Sequence, residues 1–229
     1  APPRPPGQWD ALKTKSVTGA LRAGLTDDKK LSHAEVVNII RATLNNGIIT
    51  ANEVDDLKTV STTATSLLPR SRKMLDTLVD KIGKLPRGTG PYSLPSWRHE
   101  TAAEWVCDFL ERSGTSRFPR LDRDEVGVGI LMRIANPGII RQDEASLCGP
   151  AALLFNVASD NPAAYAKFAV DLYEKGKAKL GRMEIEPGPD ARNYQPPASM
   201  EHVDWLTLAS IRDSENWFLD YDTAGKEFA

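Results

Sequence analysis

One of the chain's two cysteines, Cys148, stands in the stretch QDEASLCGPAAL, residues 142–153. Gly149 and Pro150 follow it, and then small apolar residues. Pro150 suits the first turn of a helix, where its missing N–H costs nothing. A thiol at such a start meets unsatisfied backbone N–H groups and the positive end of the helix dipole, both of which favour the thiolate. The thiolate is the form that attacks an acyl carbon. Gln142 is the second residue of interest. Its side-chain amide, with the Cys148 N–H, can donate to the oxyanion of a tetrahedral intermediate. Gly149 leaves the entrance open to a substrate.

Such chemistry also needs a histidine near the thiol, oriented by Asp or Asn. The chain has His33, His99 and His202. His33 belongs to a helix start far upstream and is read as solvated. His202 lies in MEHVDWLTLASIRDSENWFLDYD, which reads in two ways. It is a His-bearing strand, a turn at residues 213–216 and a strand ending at Asp220. Or it is a helix capped by Ser199, with Val203, Leu206 and Ser210 on one face.

The pattern Gln-x5-Cys-Gly-x-Ala-Ala-Leu is similar to the papain-like peptidase domain that removes double-glycine leaders in bacteriocin exporters. It also resembles papain-like hydrolase domains of bacterial secreted toxins. The longer stretch RQDEASLCGPAALLFNVASDNPAAYAKFAVDLYEKGKAKLG, residues 141–181, resembles effectors of bacterial type VI (contact-dependent) secretion. The resemblance covers roughly residues 125–222. It implies Cys148 as nucleophile and Gln142 as oxyanion donor. The family order Cys, His, Asp fits His202 as base and Asp220 as its orienter, with Asp222 beside it; His99 precedes the cysteine and breaks that order. The family places its histidine before a run of β-branched residues, and none occurs here. A catalytic domain that continues beyond Ala229, with its histidine there, is therefore the other expectation. The implied activity is a cysteine hydrolase acting on an amide bond of a peptide, a peptidoglycan stem peptide or a protein glutamine. The implied setting is synthesis in a bacterial cytoplasm, secretion and delivery into a target cell, with an immunity protein and a component of the secretion apparatus as partners.

The elements that must position these residues are mostly helical. Residues 1–15 begin Pro-rich and read as extended. Residues 16–84 read as a helical domain. SHAEVVNIIRATLNNG pairs Ser32 with Glu35 in a capping box and places Val36, Ile39, Ile40 and Leu44 on one face. TANEVDDLKTV repeats the device with Thr50 and Glu53. A third helix runs from Pro69 to Gly83. The rhythm of these segments suggests paired EF-hands, but the twelve-residue loop with its alternating acids, central Gly and final Glu is missing. Residues 85–98 hold three Pro and two Gly in LPRGTGPYSLPSWR and read as a linker. Residues 99–229 form the second domain. There HETAAEWVCDFLERSG is a helix with Cys107 as a buried, inert thiol. DRDEVGVGILMRIANPG favours a helix, and IIRQDEASL a loop. Ala151, Ala152, Leu154, Phe155 and Ala158 predict that the helix after Cys148 is central and buried. The basic run EKGKAKLGR is expected to be the exposed end of the helix that begins near Pro162. The fold class expected is α+β, helix-dominated.

Bulk properties narrow the function classes. The chain has 229 residues, 41% hydrophobic and 26% charged, with a net charge of -2. That balance offers no basic field for nucleic acid. No apolar run has the length of a membrane span. Neither zinc spacing nor a phosphate loop nor a Gly-x-Ser-x-Gly elbow is present, and no metal or cofactor is expected. Two other classes remain: a papain-like binding module or secretion adaptor without turnover, and a purely structural helical protein with both cysteines buried.

Overall fold

The computed structural model describes residues 9–26, 28–44, 49–84, 97–141 and 147–215. The chain divides into two units, Ala1–Pro95 and Ser96–Ala229.

The first unit holds helices α1 (Lys15–Gly24), α2 (His33–Leu44), α3 (Ala51–Thr63) and α4 (Pro69–Lys84). Their apolar stripes meet in a core of Val17, Leu21, Val36, Ile40, Leu57, Leu75 and Leu78, all essentially without solvent contact. Burying each such side chain is worth about 1.5–3 kcal/mol. Helix starts are fixed by side chains from the sequence-predicted boxes. Ser32 and Glu35 exchange bonds at the start of α2, and Thr50 and Glu53 form a full capping box on α3. Asp56 of α3 reaches the segment before a helix that is not its own. Its buried carboxylate accepts the N–H groups of Lys13 and Thr14 and the Thr14 hydroxyl. Asp56 thereby anchors the residues that lead into α1. The segments entering α2 and α4 run side by side in a parallel bridge, Leu31 against Leu67.

The second unit begins with α5 (Trp97–Glu111) and α6 (Arg123–Ala135), followed by a 3-10 turn at Pro137–Ile139. Helices α7 (Cys148–Asp160) and α8 (Pro162–Lys175) come next, then strands β1 (Ala178–Leu180) and β2 (Met183–Ile185). The short helix α9 (Pro189–Asn193) leads to α10 (His202–Asp204), a π turn (Trp205–Ala209) and α11 (Ser210–Glu215). Helices dominate, and the sheet among the described residues is one antiparallel hairpin.

Helix α6 is the hub. Asp122 caps it, accepting from the N–H groups of Asp124 and Glu125. Its Gly127 and Gly129 are notches rather than a phosphate loop. A Cβ at Gly127 would collide with Leu110 of α5, and one at Gly129 would lie 2.6 Å from Cγ1 of Val203. The two glycines therefore let neighbouring helices approach closely. Arg123 stacks over Phe109, at 4.5 Å, and Tyr173, at 5.1 Å. It also donates to the Phe109 carbonyl and to Glu174.

The basic run after α8 is a hairpin, not a helix end. Gly176 adopts φ 74 and stops α8. Gly181 adopts φ 61 between Leu180 and Met183, the place of glycine in a two-residue hairpin turn.

Candidate active site

Cys148 is the first residue of α7 and is exposed. Leu147, at the N-cap, supplies no side-chain hydrogen bond, and the first turn carries no acid. Among the described residues no side chain caps this first turn, and Pro150 has no N–H to satisfy. At Gly149 a Cβ would meet nothing within 4 Å. Among the described residues, the thiol and the space beside it are open. Cys107 of α5 has 0% relative exposure, as its place in an apolar stripe predicts.

The expectation that α7 is central and buried is corrected. Only Leu154 and Ala158 of this helix are buried, one turn apart on a single face. Ala152 is exposed and Phe155 is 46% exposed. Helix α7 packs mainly on α8 and on the 3-10 turn. Apolar composition without a polar face was read as burial on all sides, but among the described residues α7 is covered on one side only.

His202 opens α10, so among the described residues its segment takes the helical reading and not the strand. The N-cap of α10 is Glu201, not the expected Ser199, and it makes no side-chain capping bond. The His202 Nδ1 accepts the Asp122 N–H at 3.1 Å and lies 3.2 Å from Oε2 of Glu125. Both partners belong to the start of α6; neither is Cys148. Gln142, Asp220 and Asp222 lie outside the described residues, and His99 falls in α5 where side chains are not described. The described residues therefore place Cys148 and Gly149 together and leave the rest of the expected constellation unassembled.

Beside this lies a polar pair that the sequence reading missed. Arg133 of α6 donates from Nε to Oδ1 of Asp204 at 2.6 Å and from Nη2 to Oδ2 at 2.5 Å. The Arg141 N–H also donates to Oδ2. Burial opposes the charge of Arg133, but Asp204 beside it holds the guanidinium above its ordinary value. Burial likewise pushes the nearby Tyr165 phenol well up. The available signal was a charge within each of two apolar runs, ILMRIA and HVDWLTL. A charge placed there must be paired when the run is buried.

Among the described residues no group of three or more His, Cys, Asp or Glu is arranged to hold a metal ion, and no helix is long and apolar enough to cross a membrane. No family model, curated protein or solved structure matches the chain.

Proposed function

We propose that the chain is a cysteine hydrolase of papain-like kind, with Cys148 as nucleophile on an amide bond. The observation that carries this reading is the exposed thiol of Cys148 at the N-terminus of α7, beside Gly149. The thiolate adds to the amide carbon, and the oxyanion takes hydrogen bonds from the Cys148 N–H and the Gln142 amide. The C–N bond breaks as a histidine protonates the leaving amine, and water then releases the acyl group from sulfur. His202 is the candidate base, with Asp220 as orienter. While Nδ1 accepts the Asp122 N–H the neutral ring carries its proton on Nε2, so His202 serves as base only once it leaves that contact with α6.

The substrate is a peptide, a peptidoglycan stem peptide or a protein glutamine. In the setting that the sequence resemblance implies, the protein is a secreted bacterial effector delivered into a target cell. It would travel with an immunity protein and dock on the secretion apparatus through its helical first unit. Expression in a sensitive host of the wild type and of Cys148→Ala tests the reading, together with release of ammonia or amines from peptide, muropeptide and glutamine substrates. Loss of both toxicity and product in the variant is the expected result. Equal toxicity of the two would remove Cys148 from the mechanism.

One observation favours a second reading, a binding module or secretion adaptor without turnover. The His202 ring is engaged by α6 rather than by the thiol. In that case substrate screens stay silent and Cys148→Ala is neutral.

A further inference from the structure

His202 has two neighbours that make opposite demands on one atom. Nδ1 lies 3.1 Å from the backbone nitrogen of Asp122, which donates to it. It also lies 3.2 Å from Oε2 of Glu125. A neutral ring with its proton on Nε2 presents a lone pair at Nδ1. That lone pair accepts the Asp122 N–H but faces the carboxylate unfavourably. A protonated ring presents an N–H at Nδ1. That donor suits Glu125 and opposes the Asp122 donor. One protonation state cannot satisfy both.

The place in the fold gives this conflict a consequence. Three consecutive residues of α10 each grip α6. His202 meets Asp122, Val203 fits over Gly129, and Asp204 is held by Arg133. The first grip is the one with an imidazole, the side chain whose ordinary titration lies nearest neutral pH.

We propose that His202 is a proton-operated catch between α10 and the start of α6. Neutral, it holds the Asp122 N–H; protonated, it releases that N–H and pairs with Glu125. The groups around it come from the elements packed on α10. Helix α6 and its cap bring Asp122, whose carboxylate is turned to the N–H groups of Asp124 and Glu125, the buried Asp124, and Glu125 itself. Arg133 of α6 is taken by Asp204. The π turn carries no ionisable side chain, and the chain next to His202 adds Glu201. The inference does not depend on the role of Cys148.

The test is a pH titration of the full chain from pH 8.5 to 4.5, following the Asp122 amide and the His202 ring by NMR. The Asp122 amide is expected to step with the same midpoint as the His202 ring. Its hydrogen exchange, corrected for intrinsic pH dependence, accelerates several-fold below the step. His202→Asn keeps an acceptor at the Nδ1 position but does not titrate, and it abolishes the step. Glu125→Gln keeps His202, removes the charged partner and moves the step to lower pH. An Asp122 amide that stays flat while the ring titrates would overturn the proposal. So would a step that survives in His202→Asn.

Discussion

Arg133 and Asp204 form a two-pronged ion pair with side chains only 3% and 1% exposed. It joins α6 to α10 next to the fit of Val203 over Gly129. Removing one partner leaves a buried charge without compensation. Arg133→Ala or Asp204→Ala is expected to cost about 3–5 kcal/mol in urea unfolding of the full chain. Replacing both together with apolar residues of similar size is expected to recover most of that loss. A double variant as unstable as the worse single one would mean that the pair does more than satisfy itself.

Gly129 faces Val203 with room for a hydrogen and no more. Gly→Ala inside a helix gains up to about 1 kcal/mol from propensity. Overpacking against a β-branched neighbour costs about 1–3 kcal/mol. The clash is expected to win, so Gly129→Ala is destabilising and Val203→Ala in the same chain relieves part of the loss. A stabilised Gly129→Ala would show that α10 does not sit in the notch.

Asp56 of α3 anchors the residues that lead into α1, so its loss strands two backbone donors and a hydroxyl. Asp56→Ala is expected to destabilise the first unit by about 1–2 kcal/mol, as the stronger helix caps do. Thr50→Ala, which removes only the local cap of α3, is expected to cost about 1 kcal/mol. Thermal unfolding of the two variants ranks them; the reverse order would contradict the role given to Asp56.

Asp171 lies between Lys167 and Lys175 on α8. Burial works to raise its carboxyl, but the two lysine hydrogen bonds outweigh it and the group is held below its ordinary value. A carboxyl depressed in the folded state contributes stability above its unfolded value, near about pH 3.9, and loses it as pH falls through the folded value. Both lysines are largely exposed, so the gain is that of two helix-surface pairs, about 0.5–1 kcal/mol together. Asp171→Asn is expected to show this deficit at pH 7 in low salt and to match the wild type below pH 2. A deficit that persists at pH 2 would point to packing instead.

Local signals in the sequence carried much of this fold. The capping boxes at Ser32 and Thr50 and the burial of Cys107 rest on contacts within one turn, and each stands where the pattern puts it. Less legible were features set by partners distant in sequence. The open face of α7 depends on which elements cover it, and composition alone cannot count them. The notch role of Gly127 and Gly129 depends on Leu110 and on Val203, which lies far along the chain. The hairpin at 178–185 did have a local sign, the Gly181-Arg182 pair between alternating residues, which the basic charge of the run obscured. At the candidate site the exposure of Cys148 follows from its place at a helix start. The occupation of His202 by Asp122 and Glu125 follows from tertiary packing that no spacing reveals.

The central claim, a nucleophilic Cys148, is tested most directly by its alkylation rate against pH, with the buried Cys107 as internal control. The account predicts that iodoacetamide labels Cys148 rapidly below pH 7 while Cys107 stays protected until the chain unfolds. A Cys148 rate that rises only as an ordinary thiol ionises, near about pH 8.5, would contradict it and leave a binding protein.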